Sequence, residues 1–362
     1  MKLVDFLQGQ DERSENCQKA QEGPRYRIFP FYKNGVPFEG RLQKNPARQE
    51  TAEGQKRFES PKIARPMWGM TLKAAGSMRF RWNETNPNRD QFLAELCARF
   101  GGAGKGGQKQ VVPLELIHSK IVFDVKEAGD IFQRQGDGIV TQNPSLVPVV
   151  TAADCVPLYF YDSKTGAFGV AHSGWKGTGI AAEVVALMKK NYGSDPRDIL
   201  AAIGPHIHDC CYLVDKERAK YFSDNFGSDC VQKLSQAQDG GVQEAGGPGL
   251  FGHEDAFGKN QKFSQAQNSR GPGLFGHEQN LVQAQNAGGL YRLSLLRANL
   301  NVLLGAGVLE ENIVAAKNCT ACEERFGSFR REAAALADRP GLDKSRLFTT
   351  QAAFVIMEER DS

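Results

Sequence analysis

The stretch Val156-Pro-Leu-Tyr-Phe-Tyr161, Asp162-Ser-Lys-Thr-Gly166 and Ala167-Phe-Gly-Val-Ala171 decides the fold. Two apolar runs separated by a short loop that contains glycine are typical of a β-hairpin. Cys155 stands directly before the first run, and His172 stands directly after the second. Because the two open ends of a hairpin lie close together, we expect this thiol and this imidazole to be neighbours.

A third residue of the same chemical kind, His118, ends the apolar run that begins at Val111. One cysteine and two histidines at strand ends would make a three-ligand zinc site with an open fourth position. These donors suit zinc or copper better than magnesium or calcium. We therefore predict a metal site of His118, Cys155 and His172, with Asp154 beside the thiol as a candidate catalytic group.

The turn that follows His172 has the features of an anion site. Gly174, Gly177 and Gly179 stand between a strand and a helix, where the backbone can approach a ligand and helix N–H groups are unpaired. Lys176 adds a positive charge. The pattern indicates phosphate or carboxylate binding by Gly174, Lys176 and Gly177, although a tight connection has the same pattern. Trp175 suits either stacking on a planar base or packing in the core.

Two further clusters of reactive residues lie downstream. His206, His208, Cys210 and Cys211 occur within Gly204–Tyr212, and His206 is a second candidate acid or base. Cys319-Thr-Ala-Cys322 has the CxxC spacing, but without a second pair in sequence this motif alone does not predict a structural zinc site. Arg330 is a candidate anion binder or a solvated residue at a helix start.

Apolar periodicity along the rest of the chain predicts an α+β or mixed α/β layered sandwich with a mixed β-sheet. We predict a flexible leader over residues 1–24 and a single catalytic domain over 25–362. The predicted helices are Arg89–Phe100, Gly179–Tyr192 and the leucine-rich segment that ends at Gly305; the predicted strands include 26–32, 67–72, 78–82, 111–118, 121–125, 137–141, 146–152, 199–203, 313–316 and 349–357.

Residues 235–289 differ from the rest of the chain in composition. The octapeptide Gly-Pro-Gly-Leu-Phe-Gly-His-Glu begins at Gly247 and again at Gly271. Neither copy carries enough apolar surface for a stacked repeat. We predict a low-complexity surface insertion within the domain, whose His253 and His277 are weak candidates for a second metal site.

Composition excludes several other classes of function. The chain has 362 residues and a net charge of +3, without a Lys/Arg cluster of five, so neither nucleic acid nor a membrane surface is expected as a partner. No signal peptide or membrane span is predicted. Eight cysteines on such a chain are expected to be reduced thiols, which favours a cytoplasmic location. A monomer or a homodimer is expected.

Several motifs together resemble the YfiH/laccase-domain family, also called the multicopper polyphenol oxidase or peptidoglycan-editing-factor family. The motifs, in order, are Ile117-His118, Asp137-Gly-Ile-Val-Thr141, Thr151-Ala-Ala-Asp-Cys-Val-Pro157, Ala171-His-Ser-Gly-Trp-Lys-Gly-Thr178, Ile203–Tyr212, Leu296-Arg-Ala-Asn299, Cys319-Thr320 and Ser328-Phe-Arg-Arg331. The resemblance covers residues 88–357 apart from the insertion. Lys176 stands where the family has arginine, and lysine lacks the two-pronged guanidinium that binds phosphate directionally.

The resemblance implies a YfiH-like fold and a zinc site in which His118, Cys155 and His172 match the family's three ligands. It also implies a purine nucleoside enzyme with nucleoside and phosphate as small-molecule partners. The implied reactions are phosphorolysis of adenosine, inosine, guanosine and methylthioadenosine, and deamination of adenosine. Three alternatives stay open: a copper-dependent, laccase-like polyphenol oxidase, a Cys–His amidase that edits peptidoglycan, and a non-catalytic metal-binding protein.

Overall fold

The computed structural model of the protein describes residues 1–8, 24–42, 62–101, 108–234, 290–334 and 348–361. The predicted insertion at 235–289, with His253 and His277, lies outside these residues. None of the helices in the described ranges has the length and hydrophobicity needed to span a membrane.

Eighteen strands and five α-helices lie within the described residues. The strands are β1 Lys2–Val4, β2 Tyr26–Pro30, β3 Tyr32–Lys33, β4 Val36–Pro37, β5 Arg41–Leu42, β6 Lys62–Thr71, β7 Gln110–Pro113, β8 Val122–Asp124, β9 Gly138–Thr141, β10 Leu146–Ala152, β11 Val156–Asp162, β12 Phe168–Ser173, β13 Ile199–Ile203, β14 Leu213–Val214, β15 Val231–Lys233, β16 Tyr291–Leu293, β17 Ile313–Ala316 and β18 Gln351–Asp361. The helices are α1 Pro87–Phe100, α2 Ile180–Tyr192, α3 Lys216–Phe226, α4 Leu295–Gly305 and α5 Phe329–Ala334.

The predicted hairpin of β11 and β12 forms the middle of a seven-stranded sheet, whose strand order is β1-β17-β13-β11-β12-β9-β8. Antiparallel pairing of β11 with β12 continues from Val156 opposite Ser173 to Tyr161 opposite Phe168. In contrast, β13 pairs with β17 in parallel, so the sheet is mixed. The chain therefore leaves β13 and β17 at the same edge of the sheet.

A second mixed sheet packs on the first. It has six strands, with β2-β6-β18-β10-β7 in order and β5 paired to β6. Side chains alternate along β11: Tyr159 and Tyr161 belong to the apolar core shared with Trp68 of β6, whereas Leu158 and Phe160 belong to the core that contains residues of α2, α3 and α4. This two-residue alternation is expected for a strand with a core on each face.

The outer faces of both sheets are covered by helices. Residues of α2, α3 and α4 share one core with the seven-stranded sheet, and residues of α1 share another with β2, β6, β10 and β18. The helix prediction was accurate for α1, where the Asn86 side chain accepts a hydrogen bond from Arg89 N–H as an N-cap. The fold is a mixed α+β layered sandwich, as predicted.

Three local predictions were wrong. The predicted flexible leader over 1–24 fails for Met1–Gln8, because β1 pairs with β17 and Phe6 is completely buried; residues 9–23 lie outside the described part. Met78–Trp82 is not a strand but an irregular segment before α1. The strand predicted to end at His118 stops at Pro113, since Pro has no N–H to continue the ladder.

Candidate functional site

Strand register brings Cys155 and His172 together, as the hairpin predicts. His172 lies in β12 opposite Pro157 of β11, and Cys155 is the residue directly before β11. His118 joins them from the segment after β7. One potential ligand atom of each of the three residues lies within 4.8 Å of those of the other two. We call these three residues the His–Cys–His cluster.

His118 reaches the cluster through an uncommon backbone conformation rather than from a strand end. Its φ angle is 60°, a left-handed conformation that a non-glycine residue adopts only when its surroundings enforce it. The enforcing partner is Asp137, whose Oδ1 accepts a hydrogen bond from His118 N at 3.0 Å. Ser119 adds hydrogen bonds from its N–H and its hydroxyl to Asp137 Oδ2.

Asp137 also orients the second histidine. His172 Nδ1 donates to Asp137 Oδ1 at 3.0 Å, which leaves Nε2 to face Cys155 and makes it the ring nitrogen that would bind a metal. Asp137 is completely buried just before β9. Sequence reasoning assigned it no role, although it begins the quoted Asp137–Thr141 motif. An acidic residue directly before an apolar, strand-like run was the signal in the sequence that could have found it.

The charges of the cluster favour an ionised thiol. Burial raises the pKa of Cys155, but the positive charge of His172 and hydrogen bonds from His118 and His172 outweigh it and lower the pKa to about 6. Burial works to lower the pKa of His172, whereas the Cys155 thiolate and Asp137 raise it to about 10. Burial likewise raises the pKa of Asp137, but His172 and Ser119 hold it below its usual value. A thiolate is the form of cysteine that binds metals and attacks electrophiles.

The glycines of the following turn allow the chain to pass close to the cluster. A Cβ atom on Gly174 would lie 2.9 Å from His118 Cδ2 and 3.3 Å from Cys155 Sγ. A Cβ atom on Gly177 would lie 2.7 Å from the carbonyl oxygen of Ser119. Both glycines therefore have a packing reason to lack a side chain. Their predicted contact with phosphate stays a prediction.

These residues fit a metal ion. Two imidazoles and a thiolate are the donors that zinc and copper accept, and three protein ligands leave a coordination position for substrate or water. A carboxylate behind one ligating histidine is a common outer partner in such sites. Among the described residues, groups of three or more potential ligands occur here and in one set of four cysteines.

Aromatic and cationic side chains stand beside the cluster. Arg218 and Lys176 both approach the ring of Trp175, with Arg218 Cζ at 4.2 Å and Lys176 Nζ at 5.4 Å from its centroid. Arg330 Cζ lies 5.7 Å from the ring of Tyr212. Burial raises the pKa of the Tyr212 hydroxyl, and Cys155 adds to the rise while Arg218 opposes it. We call Trp175, Lys176, Tyr212, Arg218 and Arg330 the cationic wall.

Free donor capacity in this wall points to an anion. Arg218 Nε is buried without a hydrogen-bond partner in the described part of the chain. Within the same ranges, no carboxylate lies in salt-bridge distance of Arg218, Arg330 or Lys176. Sequence reasoning missed Arg218, which lies in the first turn of α3 and has no motif around it.

Neighbouring loop residues bind the Asp154 carboxylate in the structure, and its predicted catalytic role stays a prediction. Its carboxylate accepts hydrogen bonds from Thr320 Oγ1 at 2.6 Å, Ser328 Oγ at 3.0 Å and Arg330 N at 2.7 Å. Burial raises the pKa of Asp154 in spite of these donors. Asp154 has a φ of 77°, so the residue next to Cys155 adopts a left-handed backbone conformation. Both of its oxygens are thus already used to hold the loop.

The other acid–base candidate, His206, is deeply buried and neutral. Its Nδ1 donates to the Gly204 carbonyl at 2.7 Å, and its Nε2 has no hydrogen-bond partner among the described residues. Burial, together with the charge of His208, lowers the pKa of His206 to about 3. This lowered pKa favours the neutral imidazole at neutral pH, which argues against His206 as a general acid.

Comparisons with known proteins agree on the family. Several curated relatives carry the name purine nucleoside phosphorylase, among them three bacterial proteins. The one from Deinococcus radiodurans is 38% identical over 182 residues, 48% of this chain and 68% of that protein. YlmD of Geobacillus stearothermophilus is 31% identical over 54% of this chain and 55% of its own length. The protein from Borreliella burgdorferi is 31% identical over 37% of this chain and 58% of its own length. For the latter two, the match spans little more than half the relative.

Solved structures and a family model complete the comparison. YfiH of Bacillus licheniformis shares the fold with a TM-score of 0.56 at 22% identity, covering 80% of this chain and 92% of that one. YlmD of Geobacillus stearothermophilus has a TM-score of 0.54 at 23% identity over 83% and 97%. The model described as multi-copper polyphenol oxidoreductase laccase matches residues 86–245 and 256–337, which is more than half of the chain. The protein therefore belongs to this laccase-like YfiH family.

Proposed function

We propose that this protein is a zinc-dependent purine nucleoside phosphorylase. The observation that carries the proposal is the His–Cys–His cluster, supported by Asp137 and placed beside a cationic wall with unused donors. The relatives named purine nucleoside phosphorylase support the same reaction. In this reaction inorganic phosphate replaces the purine at C1′ of the ribose, and the leaving purine nitrogen gains the proton that phosphate loses.

His118, Cys155 and His172 would hold the metal. A zinc ion bound by three protein ligands supplies a Lewis acid that polarises a substrate oxygen at the open position. Asp137 contributes by fixing the His172 tautomer and the left-handed turn at His118, so the donors are arranged before substrate binds.

The cationic wall is suited to phosphate. Arg218 and Arg330 each carry a guanidinium, whose planar fork of donors suits two phosphate oxygens at once. Lys176 is exposed and adds a less directional charge. We propose that Arg218 and Arg330 bind the nucleophilic phosphate, with Gly174, Lys176 and Gly177 bordering the site.

The rings of the wall are suited to the purine. Trp175 is half-buried and already contacts Arg218 through its face. A purine could stack on such a ring, and base–aromatic stacking contributes about 1–3 kcal/mol per base. The wall thus combines affinity for an anion with affinity for a planar base, as a phosphorolysis site requires.

The proposal is tested by incubating purified, zinc-loaded protein with adenosine, inosine, guanosine or methylthioadenosine, with and without inorganic phosphate. We expect free purine and ribose 1-phosphate only when phosphate is present. Cys155→Ala should abolish turnover, whereas Cys97→Ala, the same change at a buried thiol in α1, should not. Inosine produced from adenosine without phosphate would instead show deamination. Phenol oxidation by copper-loaded protein, without nucleoside turnover, would reject the proposal in favour of a laccase.

A second candidate has its own support. The Cys155 thiol, with a pKa lowered to about 6 beside His172, has the features of a nucleophile in a cysteine amidase. An amidase would keep its activity after metal removal and lose it on thiol alkylation. Cleavage of peptidoglycan peptides by chelator-treated protein would therefore favour this reading. A phosphorylase that needs zinc would lose activity under the same treatment.

A further inference from the structure

We propose that Cys210, Cys211, Cys319 and Cys322 bind a second, structural zinc ion. The four Sγ atoms all lie within 4.8 Å of one another, although the two pairs are more than 100 residues apart in sequence. We call these residues the four-cysteine cluster. It shares no residue with the His–Cys–His cluster, and its occupancy does not depend on which reaction the protein performs.

The sulfur separations match a tetrahedral site. Zinc–sulfur bonds of about 2.3 Å at tetrahedral angles place neighbouring sulfurs roughly 3.8 Å apart. The observed distances are 3.8 Å between Cys210 and Cys211, 3.6 Å between Cys210 and Cys322, and 3.3 Å between Cys211 and Cys322. Small adjustments of exposed thiols would thus admit the ion.

Sheet topology explains why the pairs meet. The chain leaves the parallel neighbours β13 and β17 at the same edge of the sheet. Cys210 and Cys211 follow β13, and Cys319 and Cys322 follow β17. An isolated parallel bridge between His206 and Cys319 extends the pairing beyond the strands. The two loops are therefore aligned by the backbone before any sulfur contact is made.

Polar groups around the cluster suit bound thiolates. His208 N donates to Cys319 Sγ at 3.3 Å, the kind of outer hydrogen bond that metal thiolates accept. The Arg292 guanidinium donates to the carbonyl oxygens of Asp209 and Cys210, both at 3.3 Å. Its positive charge lies beside a site whose four thiolates would outweigh the charge of one zinc ion.

The number of ligands assigns the site a structural role. Four protein donors fill the tetrahedral shell, whereas the His–Cys–His cluster leaves a position open. Sequence reasoning dismissed Cys319-Thr-Ala-Cys322 because no second CxxC pair exists. The missing pair is the adjacent Cys210 and Cys211, which the sheet brings to it.

The four-cysteine cluster is connected to the catalytic region through Thr320, which lies between Cys319 and Cys322 in the chain. Thr320 Oγ1 donates to Asp154 at 2.6 Å, and Asp154 precedes Cys155. Thr320 N also donates to the His206 carbonyl at 3.0 Å. Zinc binding would therefore hold the loop that contains Thr320. This loop positions Asp154, the residue directly before the Cys155 thiol proposed for catalysis.

Zinc content of protein purified under reducing conditions tests the proposal. Cys155→Ala removes a ligand of the first cluster, so any zinc that remains reports on the second. We expect about one zinc ion per chain in Cys155→Ala, and loss of that ion in the triple variant Cys155→Ala/Cys210→Ser/Cys322→Ser. The matched control, Cys155→Ala/Cys97→Ser/Cys230→Ser, changes two cysteines elsewhere and should keep it. A Cys155→Ala protein without zinc would overturn the proposal.

Wild-type protein supplies a second readout that needs no variant. We expect Cys210, Cys211 and Cys322 to resist alkylation in zinc-loaded protein and to react after chelation, with the modified residues identified by mass spectrometry. Cobalt added to chelated protein should give the strong sulfur charge-transfer absorption of a tetrathiolate site. Immediate alkylation of all three thiols in zinc-saturated protein, or a disulfide between Cys211 and Cys322 that persists under reductant, would contradict zinc binding.

Discussion

The His–Cys–His and four-cysteine clusters differ in the groups that surround their cysteine thiols. In the first, Asp137 and two imidazoles surround a single thiol, and the charge of His172 lowers the pKa of Cys155 to about 6. In the second, burial and neighbouring thiols raise the pKa of Cys211 to about 12. The pKa of Cys155 thus favours its thiolate at neutral pH, whereas the raised pKa of Cys211 favours its protonated thiol.

The difference indicates a division of labour between the clusters. Three ligands and a carboxylate behind His172 make a preorganised site with an open position, which suits chemistry. Four thiols that join two loops make a closed site, which suits stability. Changes in the first cluster should therefore affect turnover most, and changes in the second should affect unfolding most.

The largest effect on turnover is expected for Cys155→Ala. Loss of an outer partner alone costs 10–100-fold in affinity or activity at a metal site, so loss of a ligand should reduce kcat/KM at least about 100-fold. Cys322→Ser removes a thiol from the other cluster and should keep more than about a tenth of the activity. Phosphorolysis rates of the two proteins, measured side by side, check this. Equal losses would erase the proposed distinction.

Asp137→Asn should have the next largest effect, because it removes the charge behind His172 and weakens the turn at His118. We expect a 10–100-fold fall in activity. Asp195→Asn, at a surface carboxylate that pairs with Arg197, should change activity less than about two-fold. If both variants keep full activity, Asp137 does not orient the cluster.

Asp137 should also make the stability of the protein depend on pH in the acid range. Its lowered folded-state pKa means that the contribution is complete above the usual aspartate value of about 4 and is lost as pH falls through the lowered pKa. The free energy of unfolding of wild type should therefore fall more steeply below pH 4 than that of Asp137→Asn. Urea unfolding at a series of pH values measures both slopes. Parallel curves would contradict the assignment.

Cys210→Ser/Cys322→Ser should mainly affect stability. At free zinc of 100 times the dissociation constant, binding to the native state contributes about 2.7 kcal/mol, which the variant would lose. The measurement is unfolding with and without zinc, for the variant and for Cys97→Ser/Cys230→Ser. Activity at a temperature where both proteins are folded should fall less than about ten-fold. A zinc-dependent stabilisation that survives in the variant would place the stabilising ion elsewhere.

The smallest expected effect is a difference between Cys155 and Cys211 in the pH dependence of thiol alkylation. In chelated protein, alkylation of Cys155 should rise through about pH 6 and level off above it, since its thiolate predominates there. Cys211 should stay slow until strongly alkaline pH because burial raises its pKa to about 12. Peptide mapping after brief iodoacetamide treatment gives both profiles. Superimposable profiles would show that the surroundings of the two thiols do not differ as described.

The local sequence pattern was sufficient to predict strands that pair with a partner close by in the sequence. The loop Asp162–Gly166 joins two apolar runs, so β11, β12 and the closeness of Cys155 to His172 followed from sequence. In contrast, β1 is three residues long and pairs with β17 over 300 residues later. Three residues are too few to show the two-residue periodicity of a strand. The polar residues that follow β1 in the sequence suggested a flexible leader.

The parts of the site that sequence reasoning missed depend on long-range contacts. Arg218 lies in α3 and Tyr212 follows β13, so their place beside the cluster depends on tertiary packing rather than on a local motif. The adjacent Cys210 and Cys211 carry no ligand spacing that sequence alone could match to Cys322, 111 residues away from Cys211. His118 was found for the wrong local reason, because Asp137 rather than a strand end sets its position.

Product stoichiometry tests the central claim most directly. Zinc-loaded wild-type protein should convert inosine and phosphate into hypoxanthine and ribose 1-phosphate in equal amounts, and Cys155→Ala with its four-cysteine cluster still occupied should form neither. Absence of both products from fully loaded wild type, or hypoxanthine accompanied by free ribose without phosphate, would contradict phosphorolysis at the His–Cys–His cluster.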